Sequence, residues 1–129
     1  MCTLRSLVAL ASALVIGALA SPAARAAVAY TTSSTISTVM TFTEYGTAIT
    51  TTPATNGDVV FQLASSGLSA CSFGFWIRGS DIGAKNTLAQ LLAAYHTGAP
   101  VVVAADTDPA NFWPGNSSSH ACLVWSVQS

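Results

Sequence analysis

A mainly β domain with one helix is what this sequence predicts, and three observations carry the prediction. Residues 71–103, CSFGFWIRGSDIGAKNTLAQLLAAYHTGAPVVV, hold the chain's one strong helical periodicity, with Ala84, Leu88, Leu91, Leu92 and Tyr95 on a single face. On either side of that helix, apolar residues alternate at strand spacing. No second segment has a helical period, so the helix's apolar face has only a sheet to cover.

Taken in order, residues 1–26, MCTLRSLVALASALVIGALASPAARA, have Arg5 in a short polar start, an apolar run over 7–20, and small residues at Ala24 and Ala26. This is the pattern of a secretory signal peptide cleaved before Ala27. The competing reading, a membrane anchor, needs about 20 apolar residues where the run has about 14. Residues 27–55 are dominated by threonine and serine. Ile36, Met40 and Phe42 share one parity among β-branched neighbours, so a long strand bent near Tyr45 and Gly46 is expected in preference to a glycosylated stalk. Pro53, Asn56 and Gly57 mark a turn, and residues 58–64, DVVFQLA, alternate as a half-buried strand.

After a turn over 65–69, Cys71, Phe73, Phe75 and Ile77 fall on one face of the next strand and Gly74, Trp76 and Arg78 on the other. Ser80 or Asp81 is placed to cap the helix, and Gly98, with Pro100 beyond it, to end it. Val101 and Val103 open a buried strand running to about residue 105. Residues 106–121, DTDPANFWPGNSSSHA, form a polar loop, and residues 122–127 are the last strand. Trp76 and Trp125 both take the parity opposite the cysteines, facing solvent or a neighbouring subunit. Five strands with a helix between the third and fourth are the arrangement of the OB-fold, a Greek-key barrel. Residues 27–129 are therefore read as one OB-fold-like domain (β-β-β-α-β-β), with an open α+β sandwich as the alternative.

Without the leader, Arg78 and Lys85 stand against Glu44, Asp58, Asp81, Asp106 and Asp108, a net charge near −3. Two cations cannot neutralise a run of phosphates or grip an anionic bilayer, which argues against nucleic acid and membrane as partners. Cys2 leaves with the leader. Cys71 and Cys122 remain as an even pair in an oxidising compartment and are expected to form a disulfide. The other reading is two free thiols, or a metal site helped by His96 and His120, and it lacks zinc-type spacing. No cofactor or metal is expected.

Signatures of catalysis are mostly absent, and the chain is read as a non-enzyme. His96 falls in the last helical turn, where a cation favours the negative end of the dipole. Asp106, Asp108 and Asn111 resemble a calcium loop only in outline, because the glycine and the distal glutamate are missing and Pro109 interrupts the spacing. Asn116-Ser117-Ser118 matches a glycosylation sequon. Trp113 lies in FWPGNSSSH, a large ring in a polar loop. Either the loop folds the ring beneath itself or Trp113 is an exposed platform for a sugar, whose hydroxyls Asn116, Ser117 and His120 would read. The helix's outer face, with Lys85, Asn86, Ala89, Gln90 and Ala93, is small and nearly uncharged, which suits helix-to-helix packing between copies.

The helix running into YHTGAPVVV (residues 88–103), with this cysteine placement, resembles the receptor-binding B subunits of AB5 toxins, particularly the subtilase-cytotoxin and pertussis-like branch. There, a comparable helix ends in a tyrosine, a threonine-glycine turn and a valine-rich strand. The resemblance implies a secreted homopentamer that binds host-cell glycans and delivers a catalytic A subunit, with Ser33 and Ser34 as further candidate contacts. A monomeric secreted or periplasmic binding module, such as an enzyme inhibitor presenting residues 106–121, is the alternative. A small serine hydrolase stands behind both.

Overall fold

The computed structural model describes residues 27–42, 57–115 and 120–129. The predicted leader, the bend expected at Tyr45 and Gly46, and Asn116 and Ser117 all lie outside them. Within them the chain is mainly β with one helix. Its elements are β1 (Val28–Tyr30), β2 (Ile36–Thr41), β3 (Val59–Leu63), β4 (Gly74–Ile77), α1 (Ala84–Thr97), β5 (Val102–Asp106) and β6 (Ala121–Gln128). The strands form one mixed sheet in the order β1-β5-β6-β4-β3-β2, antiparallel except where β4 runs parallel to β6. On one face of it α1 packs against β2 and β6.

This six-stranded open sheet is not the closed five-stranded barrel the element order suggested. The threonine-rich first segment, expected as one strand, is two strands at opposite ends of the sheet order. Between them the chain turns its hydrogen bonding to other partners. The Thr31 N–H donates to the Val103 carbonyl, while the Thr31 hydroxyl accepts from the Val103 N–H at 2.9 Å. Ser34 bridges to Val101, and its Oγ accepts from the Ser65 N–H at 2.9 Å. Short hydroxyl side chains that compete for backbone groups interrupt a ladder in this way. Only residues 31–35 join β1 to β2, so the sheet curls until its ends approach. Ser34 meets β5's lead-in at Val101, and the Thr35 carbonyl accepts from the Ala64 N–H just past β3.

Curling gives the sheet two cores. Between the helix and the sheet lie Phe61, Phe75, Val101, Val103 and Cys122 together with the helix's own Leu91, all fully buried. Phe61 faces Phe75 across β3 and β4 with ring centroids 5.6 Å apart, a pair that adds about 1 kcal/mol to its area burial. The opposite face buries Val60, Trp76, Trp113 and Ala121, with Met40, Phe42, Phe73 and Leu123 packed round them. Val59, Val60 and Phe61 are therefore all buried, and β3 is not the half-exposed strand its alternation suggested. Trp76, expected to face outward, is 3% exposed, and its indole N–H donates to the Asn111 carbonyl at 3.0 Å.

Helix α1 ends as the sequence predicts, with Gly98 left-handed at φ 68° and the N–H groups of Gly98 and Ala99 closing on the Tyr95 and Ala94 carbonyls. Its start differs. Asp81 turns its carboxylate toward Arg78, 3.8 Å away, and its carbonyl accepts from the Ala84 N–H, so helix begins only after Gly83 and neither Ser80 nor Asp81 caps it. Its buried stripe is Ala84, Leu91 and Ala94, with Leu88 partly covered. Ala94 takes the place foreseen for Leu92 and Tyr95, which are left partly exposed.

Gly74 sets where β4 begins. At φ 129° it occupies backbone space that side chains rarely adopt, and a Cβ there would strike the Phe61 carbonyl oxygen and crowd Gln62 Cγ. That kink also breaks the alternation. Phe73 joins the opposite core from Phe75, and Cys71 falls in a 3-10 turn (Ser69–Cys71) instead of on the strand. Gly74→Ala is expected to cost about 3 kcal/mol, from dihedral strain plus displacement of β3. Thermal unfolding checks this, and a melting point within a few degrees of the parent's would contradict it.

Candidate functional site

Of the two readings of Trp113, the loop takes the first and folds the ring beneath itself. Trp113 is 4% exposed, its ring lies 4.8 Å from that of Phe42, and its indole N–H donates to Asp58 Oδ2 at 3.1 Å. A buried carboxylate at the indole nitrogen removes the usual reason for a tryptophan to keep one edge in water. Gly115 lets the chain close over the ring, since a Cβ there would overlap the indole. Trp113 therefore offers no face for stacking, and the platform reading is corrected. Asp58 Oδ1 also accepts from the Gly79 N–H at 2.9 Å, so one buried carboxylate ties this loop to the turn leading into α1.

Other predicted residues are dispersed. His120 is exposed, its ring 5.0 Å from that of Phe112. Ser33 is exposed on the link between β1 and β2, whereas Ser34 is nearly buried and committed to Ser65. Neither serine shares a loop with His120. Asp106, Asp108 and Asn111 do meet, but they serve the loop itself. Asp106 accepts from the Asp108 N–H and from Asn111 Nδ2, each at 2.9 Å. On the helix, Lys85, Asn86, Ala89 and Ala93 are exposed, but Gln90 is tied back to the sheet through its Nε2 and the Val127 carbonyl at 3.2 Å. Among the described residues no group of three or more His, Cys, Asp or Glu side chains is placed to hold a metal. No helix among them is long and apolar enough to cross a membrane.

An exposed aromatic site exists elsewhere, at the head of α1. The ladder between β5 and β6 pairs Ala104 with Ser126 and Ala105 with Val124, leaving Trp125 as the extra residue of a bulge. A bulge re-aims a side chain that alternation would otherwise fix. Trp125 is 63% exposed and borders a groove of about 200 Å³ with Ile77, Asp81, Ala84, Thr87 and Val124. The groove lies beyond the carboxyl end of β4, where the turn over 78–83 enters the helix. That turn is held in two places: Gly79 by Asp58, and Arg78 by the Trp76 ring, whose centroid is 5.5 Å from the guanidinium carbon. Thr87 Oγ1 donates to the Gly83 carbonyl at 3.1 Å and keeps its lone pairs for a ligand.

Sequence parity placed Trp125 outward but gave no reason to single it out, because a bulge has no residue signature here. A search of protein-family models, curated proteins and solved structures returns no match to this chain.

Proposed function

We propose that this chain is an exported, non-enzymatic carbohydrate-binding domain whose site is the Trp125 groove. Trp125 is the observation that carries the reading. A mostly exposed indole beside a carboxylate and a hydroxyl, on a bulge between two anchored elements, offers a pyranose a C–H stacking face and hydroxyl partners. Export rests on the leader and on the Cys71–Cys122 disulfide, a bond suited to an oxidising compartment. We further read the curled sheet as a broken OB-type barrel, with β1 and β2 as the two halves of its first strand. The parallel β4–β6 pair and the shortness of the link over 31–35 support that finer reading.

The homopentameric ring and catalytic A subunit enter only through the likeness to toxin B subunits. A fivefold solution mass by light scattering would bring them forward, whereas a monomeric mass would leave a lectin-like domain acting alone.

Trp125→Ala is expected to weaken glycan binding at least tenfold while moving the melting point by no more than a few degrees, since the ring is mostly in solvent. A glycan array followed by titration checks it. Undiminished binding in the variant would move the site elsewhere. A changed solution mass with sugar binding intact would make Trp125 an interface residue instead.

A further inference from the structure

We infer that Asp58 is a positioning residue for the Trp125 groove, acting from outside it by fixing the spacing between its two walls. The inference rests on the carbohydrate reading above. One wall is Val124 and Trp125 on β6, and it carries the stacking face. The other is the turn over 78–83 with the first turn of α1. That wall carries the hydrogen-bonding groups: the Asp81 carboxylate, the Thr87 hydroxyl and the open N–H groups at the helix start. A ligand that touches both walls is held only if their separation is held, and slack of roughly an ångström is enough to lose it.

Among the described residues no strand ladder sets that separation. Pairing between β4 and β6 runs from Gly74 with Ala121 to Trp76 with Leu123 and stops there, one residue short of Ile77 and Val124 in the groove. Beyond Ile77 the turn is shaped by its own backbone, the Asp81 N–H donating to the Arg78 carbonyl and the Ala84 N–H to the Asp81 carbonyl, bonds that do not place it against β6. The Arg78 contact with the Trp76 ring is half-exposed and weakly directional. Asp58 places the turn. Its carbonyl accepts from the Phe42 N–H at 2.8 Å, which ties the residue to the end of β2. Its buried side chain spends Oδ1 on the Gly79 N–H and Oδ2 on the Trp113 indole. Through Trp113 the same carboxylate reaches the other wall. The Trp113 N–H donates to the carbonyl of Ala121, the first residue of β6, and the loop that holds Trp113 leaves β5 at Asp106, opposite Leu123. Gln90, on the Val127 carbonyl, ties α1 to β6 further along the helix. Two donors converge on Asp58, so a side chain of two acceptor oxygens and no proton serves both.

Heteronuclear NMR tests this with the methyl glycosides of glucose, galactose and mannose, each titrated against the indole N–H signal of Trp125, which the Trp125→Ala variant identifies. Asp58→Ala removes both acceptors and is expected to weaken the best glycoside about tenfold or more, well below the variant's own melting point. Asp58→Asn leaves one oxygen for two donors and is expected to fall between Asp58→Ala and the parent. Should Asp58→Ala not fold, Asp58→Asn carries the test, with a loss of about threefold or more. Gly74→Ala, also destabilised but at the far end of β4, separates placement from stability and is expected to bind within about twofold of the parent. The glycoside-free protein gives a second readout. In Asp58→Ala or Asp58→Asn the Ala84 amide, whose bond to Asp81 lies within the turn, is expected to exchange faster relative to the Val103 amide, while Gly74→Ala keeps the parent's ratio. Parent affinity in the Asp58 variants, or an equal loss in Gly74→Ala, would overturn the positioning role and leave the carbohydrate reading in place. If no glycoside shifts the Trp125 signal, the carbohydrate reading falls; a moved Ala84 ratio then still assigns the turn's placement to Asp58, and an unmoved one removes it.

Discussion

Trp113→Ala is expected to cost about 4 kcal/mol and to lower the melting point by some 15 °C or more. Two losses combine. The indole is 4% exposed and packs on Phe42, so truncation leaves a cavity in the smaller of the two cores. Removing its N–H also strips one donor from Asp58, itself 4% exposed, and a buried carboxylate short of a partner is costly. The damage spreads along Asp58, whose other oxygen holds Gly79 and hence the turn over 78–83. Trp113→Phe separates the two losses, since it retains a ring but not the donor, and is expected to cost about half as much. In a double-mutant cycle with Asp58→Ala the two changes are expected to be non-additive by about 1 kcal/mol, because each removes one end of the same hydrogen bond. A Trp113→Ala protein that melts with the parent yet no longer binds sugar would return the ring to the surface and refute this account.

Legibility from the sequence divides by the range of the interactions involved. The helix's end, the existence of β3, β5 and β6, and the pairing of Cys71 with Cys122 are set by local spacing, a left-handed glycine and a cysteine count, and all appear where they were read. What escaped was decided across distance. Trp113 is buried because a carboxylate 55 positions away accepts its N–H, which no pattern within the loop announces. Trp76 followed the outward parity of its strand, but the same loop covers that face through Asn111. One kinked glycine moved Phe73 to the opposite core, and hydroxyls at Thr31 and Ser34 divided a continuous threonine-rich run into two strands. The groove at Trp125 was hidden for a similar reason: a one-residue slip between β5 and β6 places it, and composition carries no trace of a slip.

Loss of the disulfide is expected to rival the loss of Trp113. Cys71 and Cys122 are 51 positions apart, and closing a loop of that length restricts the unfolded chain by about 4 kcal/mol on the entropy model. A domain of this size has a total stability of only about 5–15 kcal/mol. The bond also ties the 3-10 turn ahead of β4 to β6, which lies between β4 and β5 in the sheet. Both cysteines are buried, at 3% and 0% exposure, so a reductant reaches the sulfurs only when that part of the chain opens. Reduction of the native protein is therefore expected to be slow, to accelerate steeply on warming, and to leave a species that melts roughly 15–30 °C lower. Thiol titration by mass, run beside calorimetry, checks this. A fully reduced protein with an unchanged melting point would show that packing alone holds the turn to β6. Trp125 stands three residues beyond Cys122 on the same strand, so reduced protein is expected to keep its sugar affinity below its lowered melting point and to lose it with unfolding. Affinity lost well below that transition would instead mean that the bulge depends on the disulfide directly.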